Sequence, residues 1–480
     1  MPLIFGDDKM AVFSIVKLSE LEGAKRIDAE YYKPEYLEII DILTTQKAKL
    51  LIKLVTDIIC GPFGSSILER DYRPNGIPLI RVSDTADLFI KDDDLVFIDD
   101  SLSEKMKRYQ VFPGDLVVSQ RGTIAMFSLV TQKFPKWNIS ANLISIKKSN
   151  KINFNYLLIF LNSFYGASQL FRKQSGEVQP KITTDDVKQL LVFVASPDIQ
   201  EKVSDLVELA YKEKEISYSL YSQAENLLLE ELGLKDFKPR YEKTYTANLS
   251  DAFSAHRIDA EYFQPAYEEV IEKIKNYKNG FVSLLKSVEN VKPDFDPTKY
   301  PDKIFSYVEL ADIDSSIGVI HSVNEIRGEE APSRARRMLR EGDVIVSSVE
   351  GSLEKVALVD KEHDGCLAST GFFQFRPLDI LPEVLLVLSK TIVLQSQLKK
   401  RCSGTILTAV PKESLRDIII PILPLSTQQK IASLVQQSHE ARKRAKELIE
   451  IAKRAVEIAI EKNEEEAKRE IEEAIEEEIK

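Results

Sequence analysis

The sequence predicts two copies of an α/β (α+β) unit, joined by long antiparallel helices of coiled-coil type. The first observation behind this fold class is an internal repeat, since RIDAEYYKP at Arg26–Pro34 returns as RIDAEYFQP at Arg257–Pro265. The second is a series of short β-type runs in each copy, and the third is a long amphipathic helix after each series. A pseudo-twofold internal repeat follows from these patterns.

The repeat extends over most of the 480 residues. The offset between the copies is 231 positions at the nonapeptide and 228 positions further along. The later matched blocks are PGDLVVSQRGT with EGDVIVSSVEGS, SGEVQPKITTDDVKQLLV with SGTILTAVPKESLRDIII, and PDIQEKVSDLV with LSTQQKIASLV. Because the blocks keep their order while the offset drifts so little, the chain is a tandem duplication.

Each copy begins with a helical segment after a proline and continues through turn-punctuated β-type runs. Such runs are GIPLIRVSD, GDLVVSQ, LVFVAS, GDVIVSS and DIIIPIL. The expected domains are an N-terminal helical segment (1–48), a first α/β unit (49–198), a first long helix (199–233), a linker with a second helical segment (234–280), a second α/β unit (281–426), and a second long helix with an acidic tail (427–480).

The first long helix is predicted over Ile199–Leu232, with Asp198 as its N-cap and Gly233 as its stop. The second begins at Thr427 and is expected to extend toward the glutamate-rich tail. Their narrow apolar stripes favour packing of one helix on the other, as a rod on the order of 50 Å long. The alternative is that each helix packs on its own α/β unit.

Composition and charge exclude several classes of protein. The net charge of −11 includes ten glutamates against four Lys/Arg in the last twenty residues, so the rest of the chain is only mildly acidic and DNA binding stays possible. Cys60, Cys366 and Cys402 are too scattered for a disulfide framework or a zinc site, which favours a reducing cytoplasm. Neither a signal peptide nor a membrane span is predicted.

Motifs for catalysis and for cofactor binding are absent. The sequence contains no G-x-x-x-x-G-K-[ST], G-x-G-x-x-G, G-x-S-x-G or [DN]-P-P-[FY] motif. The four histidines have no carboxylate or cysteine at metal-ligand spacing. We therefore expect a non-catalytic chain with no cofactor and no metal of its own.

Four features taken in order resemble a known family. They are the opening GPFGSSILERDYRPNGIPLIRVSD, the loop PGDLVVSQRGT, the strand QPKITTDDVKQLLVFV and the P-x-x-Q-x-K start of a helix. This order resembles the specificity subunit of Type I restriction-modification systems, and the same plan occurs in recognition regions fused to Type II enzymes. Copy two departs from it, with Thr408–Pro411 at the place of Gln179–Ile182, so Lys181 need not have a counterpart.

The resemblance implies two target recognition domains that bind a bipartite, asymmetric double-stranded DNA target. It further implies two DNA adenine methyltransferase subunits, which bind AdoMet, and ATP-dependent restriction and translocase subunits as partners. A duplex presents half-sites on one face about 34–36 Å apart, a spacing that a rigid helical ruler could match.

Candidate DNA-binding residues are cationic or polar side chains in predicted loops, since base edges and phosphates need such donors. They are Ser65, Arg70, Arg73, Arg81, Arg121 and Lys181 in copy one, and Arg327, Arg334, Arg336, Arg337 and Arg340 in copy two. For any single arginine the alternative is a surface charge or a salt bridge, whereas the copy-two arginines as a group favour DNA.

The repeated RIDAEY favours a structural role over phosphate contact, its charged residues and tyrosines holding the helical segment against the long helices or a partner. Gly114 and Gly342 are predicted turn formers. Two other functional classes remain as alternatives, a coiled-coil scaffold without a DNA role and an unrecognised duplicated hydrolase. A recognition subunit working with a Type II-like enzyme is a further alternative.

Overall fold

The structure, a computed structural model, describes residues 13–19, 21, 26–85, 88–91, 95–122, 125–174, 181–404 and 408–478. The chain divides into two compact units. Unit 1 spans Met1–Lys212 together with Arg444–Lys480, and unit 2 spans Glu213–Lys443. Unit 1 is therefore assembled from two separate parts of the sequence, whereas unit 2 is continuous.

The strands are short. In chain order they are β1 (Lys49–Leu50), β2 (Ile58–Cys60), β3 (Ile77–Ile80), β4 (Val96–Ile98), β5 (Gln110–Val111), β6 (Leu116–Ser119), β7 (Phe127–Leu129), β8 (Trp137–Ile139), β9 (Leu143–Ile146), β10 (Leu191–Val192), β11 (Phe281–Ser283), β12 (Val288–Asn290), β13 (Ile304–Val308), β14 (Ile313–Asp314), β15 (Val319–Ile320), β16 (Asn324–Arg327), β17 (Ala335–Met338), β18 (Val344–Ser347), β19 (Val356–Leu358), β20 (Leu367–Ser369), β21 (Phe372–Pro377) and β22 (Ile419–Pro421).

The α-helices fall into short helices within the units and two long ones. In chain order they are α1 (Pro34–Thr45), α2 (Leu51–Leu54), α3 (Asp100–Lys105), α4 (Phe154–Asn162), α5 (Phe164–Lys173), α6 (Thr184–Lys188), α7 (Pro197–Glu231), α8 (Leu249–Ala255), α9 (Pro265–Lys275), α10 (Leu284–Ser287), α11 (Pro382–Lys390), α12 (Ile392–Arg401), α13 (Leu425–Glu461) and α14 (Glu464–Glu478). The five β-type runs named from the sequence all contain a strand.

Two four-stranded sheets form the frame of unit 1 in its described residues, in the orders β2-β9-β6-β7 and β4-β3-β8-β5. Unit 2 repeats them as β12-β21-β18-β19 and β16-β13-β20-β17. The second sheet of each unit contains one parallel pair, β3 with β8 and β13 with β20. Because strand order and direction agree throughout, the predicted duplication of an α/β unit is confirmed.

Alternation along the central strand distributes its side chains between two cores. In β6, Val117 lies in a core that includes Trp137 of the neighbouring sheet, whereas Leu116 and Val118 pack into the core that contains the helices. In β18, Ile345 and its neighbours Val344 and Val346 are divided in the same way. Since successive side chains in a strand point to opposite faces, the two sheets that contain β6 and β18 are covered on both sides.

The two long helices both contribute to each unit. The part of α7 up to Lys212 belongs to unit 1 with the end of α13, and the rest of α7 belongs to unit 2 with the beginning of α13. The two helices therefore run in opposite directions, as predicted. In unit 2 they meet closely at a buried serine pair, where the Ser438 hydroxyl donates to the Ser217 carbonyl at 2.8 Å.

The ends of the long helices correct the sequence prediction in detail. Helix α7 begins at Pro197, so Asp198 lies inside its first turn and is not the N-cap. Its end is as expected, because Gly233 has φ +64° and Leu234 N donates to Leu229 O, which is the Schellman arrangement. Helix α13 begins at Leu425, two residues before the predicted Thr427.

The acidic tail does not continue α13. Helix α13 ends at Glu461, and Asn463 accepts a hydrogen bond from Glu466 N at 2.9 Å as the cap of a new helix, α14. Ala467 and Ile471 of α14 are buried in the core of unit 1. The tail is thus part of unit 1 and is not a solvated extension of the long helix.

The repeated nonapeptide connects the start of each copy to the C-terminal end of a helix through hydrogen bonds. Arg26 donates to the last carbonyls of α5 and forms an ion pair with Asp28 at 2.6 Å. Arg257 donates to the last carbonyls of α12 and forms an ion pair with Asp259 at 2.7 Å. The structural role predicted for the motif is confirmed, but its partner is a helix of its own α/β unit and not a long helix.

Candidate nucleic-acid interface

The connection between β8 and β9 of unit 1 is Ser140–Asn142. It contacts the loops that follow several other strands. Ser140 N donates to Ile80 O at 2.9 Å, and Gln120 N donates to Asn142 O at 2.8 Å. Gly61 N donates to Leu143 O at 2.7 Å. The ends of β2, β3 and β6 therefore lie at one edge of the two sheets, where their loops meet.

Glycine at position 61 allows the first of these loops to approach closely. A Cβ on Gly61 would lie 2.3 Å from the Ser140 carbonyl oxygen, so no larger residue fits without a shift of the backbone. The chain then forms a 3-10 turn at Gly64–Ser66, whose first residue lies beside Ala141. Ser65 in this turn is exposed. The GPFGSS opening thus places Ser65 at the loop edge.

Arg121 and Lys181 are brought face to face. They form an antiparallel backbone bridge, and Ile182 N donates to Gln120 O at 3.1 Å beside it. The Ser119 hydroxyl, at the end of β6, accepts from Arg121 N at 3.3 Å and fixes the turn. Both cationic side chains are exposed. Thr123, Gln179 and Pro180, which are close to these two residues in the sequence, lie outside the described residues.

Arg81 also lies at this edge, directly after β3. Its guanidinium is held by Asp84, with Nε donating to Oδ2 at 3.2 Å and an NH2 group donating to Oδ1 at 3.1 Å. Asp84 is buried and also accepts from the Arg81 backbone N at 2.7 Å. The carboxylate therefore orients the Arg81 side chain, which stays partly accessible.

Arg70 and Arg73 are not joined to this edge by the same contacts. Arg73 pairs through its backbone with Phe97 of the edge strand β4, and its side chain forms an ion pair with Asp99 at 2.9 Å. It also donates to the Arg70 carbonyl at 3.0 Å. Both arginines are exposed, but they lie along the sheet edge and not among the loops around Ser140–Asn142.

Two polar residues at the loop edge were missed by the sequence analysis. Asn142 is exposed at φ +63°, and Gln120 precedes Arg121 at the end of β6. A signal for the first was available, because Asn is among the few non-glycine residues that adopt positive φ readily and here it stands between two strand-like runs. We call Ser65, Arg81, Gln120, Arg121, Asn142 and Lys181 the unit 1 loop cluster.

Unit 2 builds the same frame with different side chains. Ser348 N donates to Gly371 O at 2.8 Å, Val410 N donates to Ser348 O at 2.8 Å, and Val349 forms a backbone bridge with Ala409. Glu309 follows β13 as Arg81 follows β3. Thr370 N donates to Arg334 O at 2.8 Å, which brings that arginine to the same edge. The unit 2 loop cluster is Glu309, Arg334, Ser348, Val349, Thr370, Gly371 and Ala409.

The copy-two arginines do not form one surface group, which corrects the sequence prediction. Arg334 is exposed at the loop edge, whereas Arg336 forms an ion pair with Asp296 at 2.9 Å. Arg340 is exposed in the turn before β18, at the other end of that strand, and Arg327 lies on the edge strand β16. Since β17 runs through this segment, its side chains alternate between faces and its ends lie far apart.

Arg337 is a separate correction because it is buried. Only 6% of the residue is exposed, and its guanidinium donates to the Val291 carbonyl at 2.6 Å. Burial lowers the pKa of Arg337 to about 10, although the group remains protonated at neutral pH. A side chain enclosed in this way does not reach a duplex, so Arg337 leaves the set of DNA-binding candidates.

Two α/β units of matching frame, each with its own loop cluster, define a class of duplicated protein whose halves present different surfaces. A comparison with protein families agrees. The profile of the Type I restriction modification DNA specificity domain matches twice, at residues 56–220 and 323–452, which is more than half of the chain. The chain belongs to this family.

Individual relatives are distant. The Type I restriction enzyme HindI specificity subunit of Haemophilus influenzae (strain ATCC 51907 / DSM 11121 / KW20 / Rd) is 24% identical over 166 residues, and the match spans 34% of each protein. The crystal structure of a Type I restriction-modification S subunit from M. genitalium is 12% identical, with a TM-score of 0.39 over 85% of this chain and 94% of that one. The HsdS subunit of Thermoanaerobacter tengcongensis is 14% identical, with a TM-score of 0.28 over 86% and 96%.

Two features are absent from the described residues. Among them no helix is both long and apolar enough to cross a membrane. Nor does that part of the chain bring together three His, Cys, Asp or Glu side chains as a metal site would require.

Proposed function

We propose that this chain is the DNA-binding specificity subunit of a Type I restriction-modification complex. Each loop cluster contacts one half of a bipartite double-stranded target, and the chain itself carries out no catalysis. The observation that carries the proposal is the repeated frame with different loop residues. Two copies bound to one duplex would read the same half-site twice if their loops agreed, so their divergence favours an asymmetric target.

The side chains of the loop clusters favour a mixture of contacts with DNA phosphates and contacts with base edges. In unit 1, Arg121 and Lys181 suit phosphate oxygens, while Asn142 and Gln120 have the donor and acceptor pairs that match adenine. In unit 2, Arg334 is the accessible cation of the loop cluster. The remaining candidates are the exposed Arg70, Arg73 and Arg340 and the half-buried Arg327 and Arg336, and we propose them as outer contacts with the DNA backbone.

The experiment that tests recognition is selection from a pool of random duplexes by the chain bound to its methyltransferase. We expect two fixed blocks of sequence separated by a gap of fixed length. Replacing the unit 2 loops with those of another family member should change one block and leave the other intact. Recovery of no enriched sequence, or of one palindromic block, would contradict the proposal.

The partners proposed are two DNA adenine methyltransferase subunits, which bring AdoMet, and ATP-dependent restriction subunits, all in the cytoplasm. Exposed apolar side chains recur at equivalent positions of the two copies and support a partner that binds twice. Ile27 and Ile258, at the same place in the nonapeptide, are 89% and 92% exposed, and Leu18 and Leu249 are both 70% exposed. Apolar side chains exposed to this degree are typical of interaction sites when they recur together.

Stoichiometry measured by native mass spectrometry tests this docking surface. The unaltered chain should bind two methyltransferase subunits, each of the substitutions Ile27→Asp and Ile258→Asp should leave one, and the double variant none. Leu378→Asp is the matched control, because Leu378 is 63% exposed but lies outside the repeated segment. Two bound subunits in the double variant would place the docking surface elsewhere.

A further inference from the structure

The two loop clusters can be compared position by position because their backbone contacts are equivalent. Gln120 and Ser348 each donate a backbone N–H to the connection between two strands, at Asn142 and Gly371 respectively. The Ser119 and Ser347 hydroxyls accept from the N–H two residues further on, at 3.3 and 3.1 Å. The bridge Arg121–Lys181 accordingly corresponds to Val349–Ala409. The counterpart of Lys181 is therefore Ala409 and not Val410, which corrects the alignment of these segments made from the sequence.

The start of the next loop is equivalent as well. The Asp84 carboxylate accepts from Arg81 N at 2.7 Å, and the Asp312 carboxylate accepts from Glu309 N at 2.8 Å. Arg81 therefore corresponds to Glu309. On one frame, unit 1 carries the three cations Arg81, Arg121 and Lys181 where unit 2 carries a carboxylate and two small apolar side chains.

The cation pair of unit 1 is unusual on physical grounds. Residues directly opposite in an antiparallel bridge have Cβ atoms about 4.5–5.5 Å apart, and like charges at such positions are destabilising. Among the residues that the structure describes, neither Arg121 nor Lys181 has a carboxylate within ion-pair distance. An anion placed between the two side chains would remove the repulsion, whereas in unit 2 no such repulsion arises between Val349 and Ala409.

We infer that Arg121 and Lys181 form a phosphate-binding site for the DNA backbone that unit 2 lacks, so the two units hold the duplex by different chemistry. This inference rests on the proposed function. Unit 1 contacts the phosphate through paired cations on the bridge, and Arg81, held by Asp84, adds positive charge at the same edge. Unit 2 draws its cation from Arg334, which directly precedes β17, and β17 supplies none of the bridge residues.

The chemistry has a measurable consequence. Each phosphate neutralised by a protein cation releases condensed counterions, so the logarithm of the binding constant falls with the logarithm of salt concentration by about 0.9 per phosphate. The variant Arg121→Gln/Lys181→Gln should lower the magnitude of this slope by about 1 if the pair shares one phosphate. It should weaken binding at low salt without changing which sequence is preferred.

The test uses the chain in complex with its methyltransferase, and fluorescence anisotropy of a target duplex at several salt concentrations. The matched control is Val349→Gln/Ala409→Gln, which alters the equivalent bridge of unit 2 without removing a charge, so the slope should be unchanged even where the affinity changes. The reciprocal variant Val349→Arg/Ala409→Lys should increase the slope by a similar amount. Because Arg121 and Lys181 are exposed and the substitutions remove their repulsion, the thermal midpoint of the Gln variant should be no lower than that of the unaltered chain.

The outcomes separate this inference from the proposed function. An unchanged slope in the unit 1 variant, with sequence-specific binding retained, would overturn the phosphate site and leave the proposed function standing. Loss of preference at one base pair, with the slope unchanged, would show that the pair reads a base and would also overturn it. If the unaltered complex binds no duplex specifically, the proposed function itself fails.

Discussion

Unit 1 and unit 2 agree in their buried polar contacts and differ in their exposed loops. In unit 1 the buried Asp115 carboxylate accepts from Lys147 Nζ at 3.0 Å, and in unit 2 the buried Asp343 carboxylate accepts from Arg376 Nε at 2.9 Å. Each carboxylate also accepts a backbone N–H three residues earlier, across the turn that Gly114 or Gly342 forms at positive φ. Contacts that hold the frame are thus kept in both copies, while the residues available to a ligand are free to diverge.

The largest predicted change in stability that tests this comparison comes from the loss of either buried carboxylate. Asp115→Ala and Asp343→Ala should each cost about 3 kcal/mol of unfolding free energy, because a partly buried cation and a backbone N–H both lose their charged acceptor. Urea denaturation followed by circular dichroism measures both losses. Asp100→Ala, which removes an exposed ion pair with Lys136, is the control and should have little effect. A cost confined to one unit would show that the two frames are not energetically equivalent.

The next largest effect distinguishes two arginines of unit 2 that lie only three positions apart. Arg334→Ala should cost about 1–3 kcal/mol of DNA-binding free energy if its guanidinium contacts a base, and less if it contacts a phosphate. Arg337→Met should leave DNA binding unchanged, because Arg337 is buried. Anisotropy titration of a target duplex measures both affinities. Equal losses in the two variants would restore the single surface group that the sequence suggested.

A smaller effect concerns the repeated nonapeptide. Arg26→Lys and Arg257→Lys should each cost roughly 1 kcal/mol of unfolding free energy, since lysine cannot bridge an aspartate and the last carbonyls of a helix at once. Thermal and urea unfolding of the single and double variants measure the losses. The two positions lie in different units and share no partner, so their losses should add. A strongly non-additive double variant would mean that the two motifs are coupled.

The smallest effect is specific to unit 2 and depends on pH. Burial lowers the pKa of His439, whose Nε2 lies 2.9 Å from Ile317 O; Asp360 and Glu383 oppose the shift and Lys390 adds to it. The unfolded chain therefore takes up a proton first as pH falls below about 6.5, which lowers the unfolding free energy by at most about 0.8 kcal/mol at pH 6. His439→Gln should remove this loss, measured as the difference in urea midpoint between pH 8 and pH 6. A variant that keeps the full loss would assign it to another group.

Much of the frame could be predicted from the sequence because a duplication leaves local signals. The prolines at the starts of α1 and α9, the glycine turns and the long helices all depend on neighbouring residues, and each is present. The prediction that the copy-two arginines form one surface group was wrong, and the reason is also local. The pairing register of β17 shifts between Ala335 and Arg337, and strand alternation places Arg336 and Arg337 in different environments.

Long-range features could not be predicted in the same way. The contribution of Arg444–Lys480 to unit 1 depends on contacts between residues more than two hundred positions apart, such as Ser196 N with Glu464 Oε1 at 2.8 Å. The approach of Arg121 to Lys181 likewise depends on the pairing of two segments that carry no common motif. In the candidate site, the types of residue were therefore predictable, whereas their grouping was not.

The discontinuous construction of unit 1 has a consequence for synthesis on the ribosome. Domains generally fold in the order in which they are translated, with the N-terminal one first. Here unit 2 is complete once Lys443 has been made, whereas the core around Val203 and Leu206 waits for Leu448 and Val456 of α13. The unit that begins first is finished last, so a nascent chain that stops early exposes apolar surface to proteases and chaperones. Unit 1, which carries the cation pair, can therefore complete its core only after these residues of α13 have been translated.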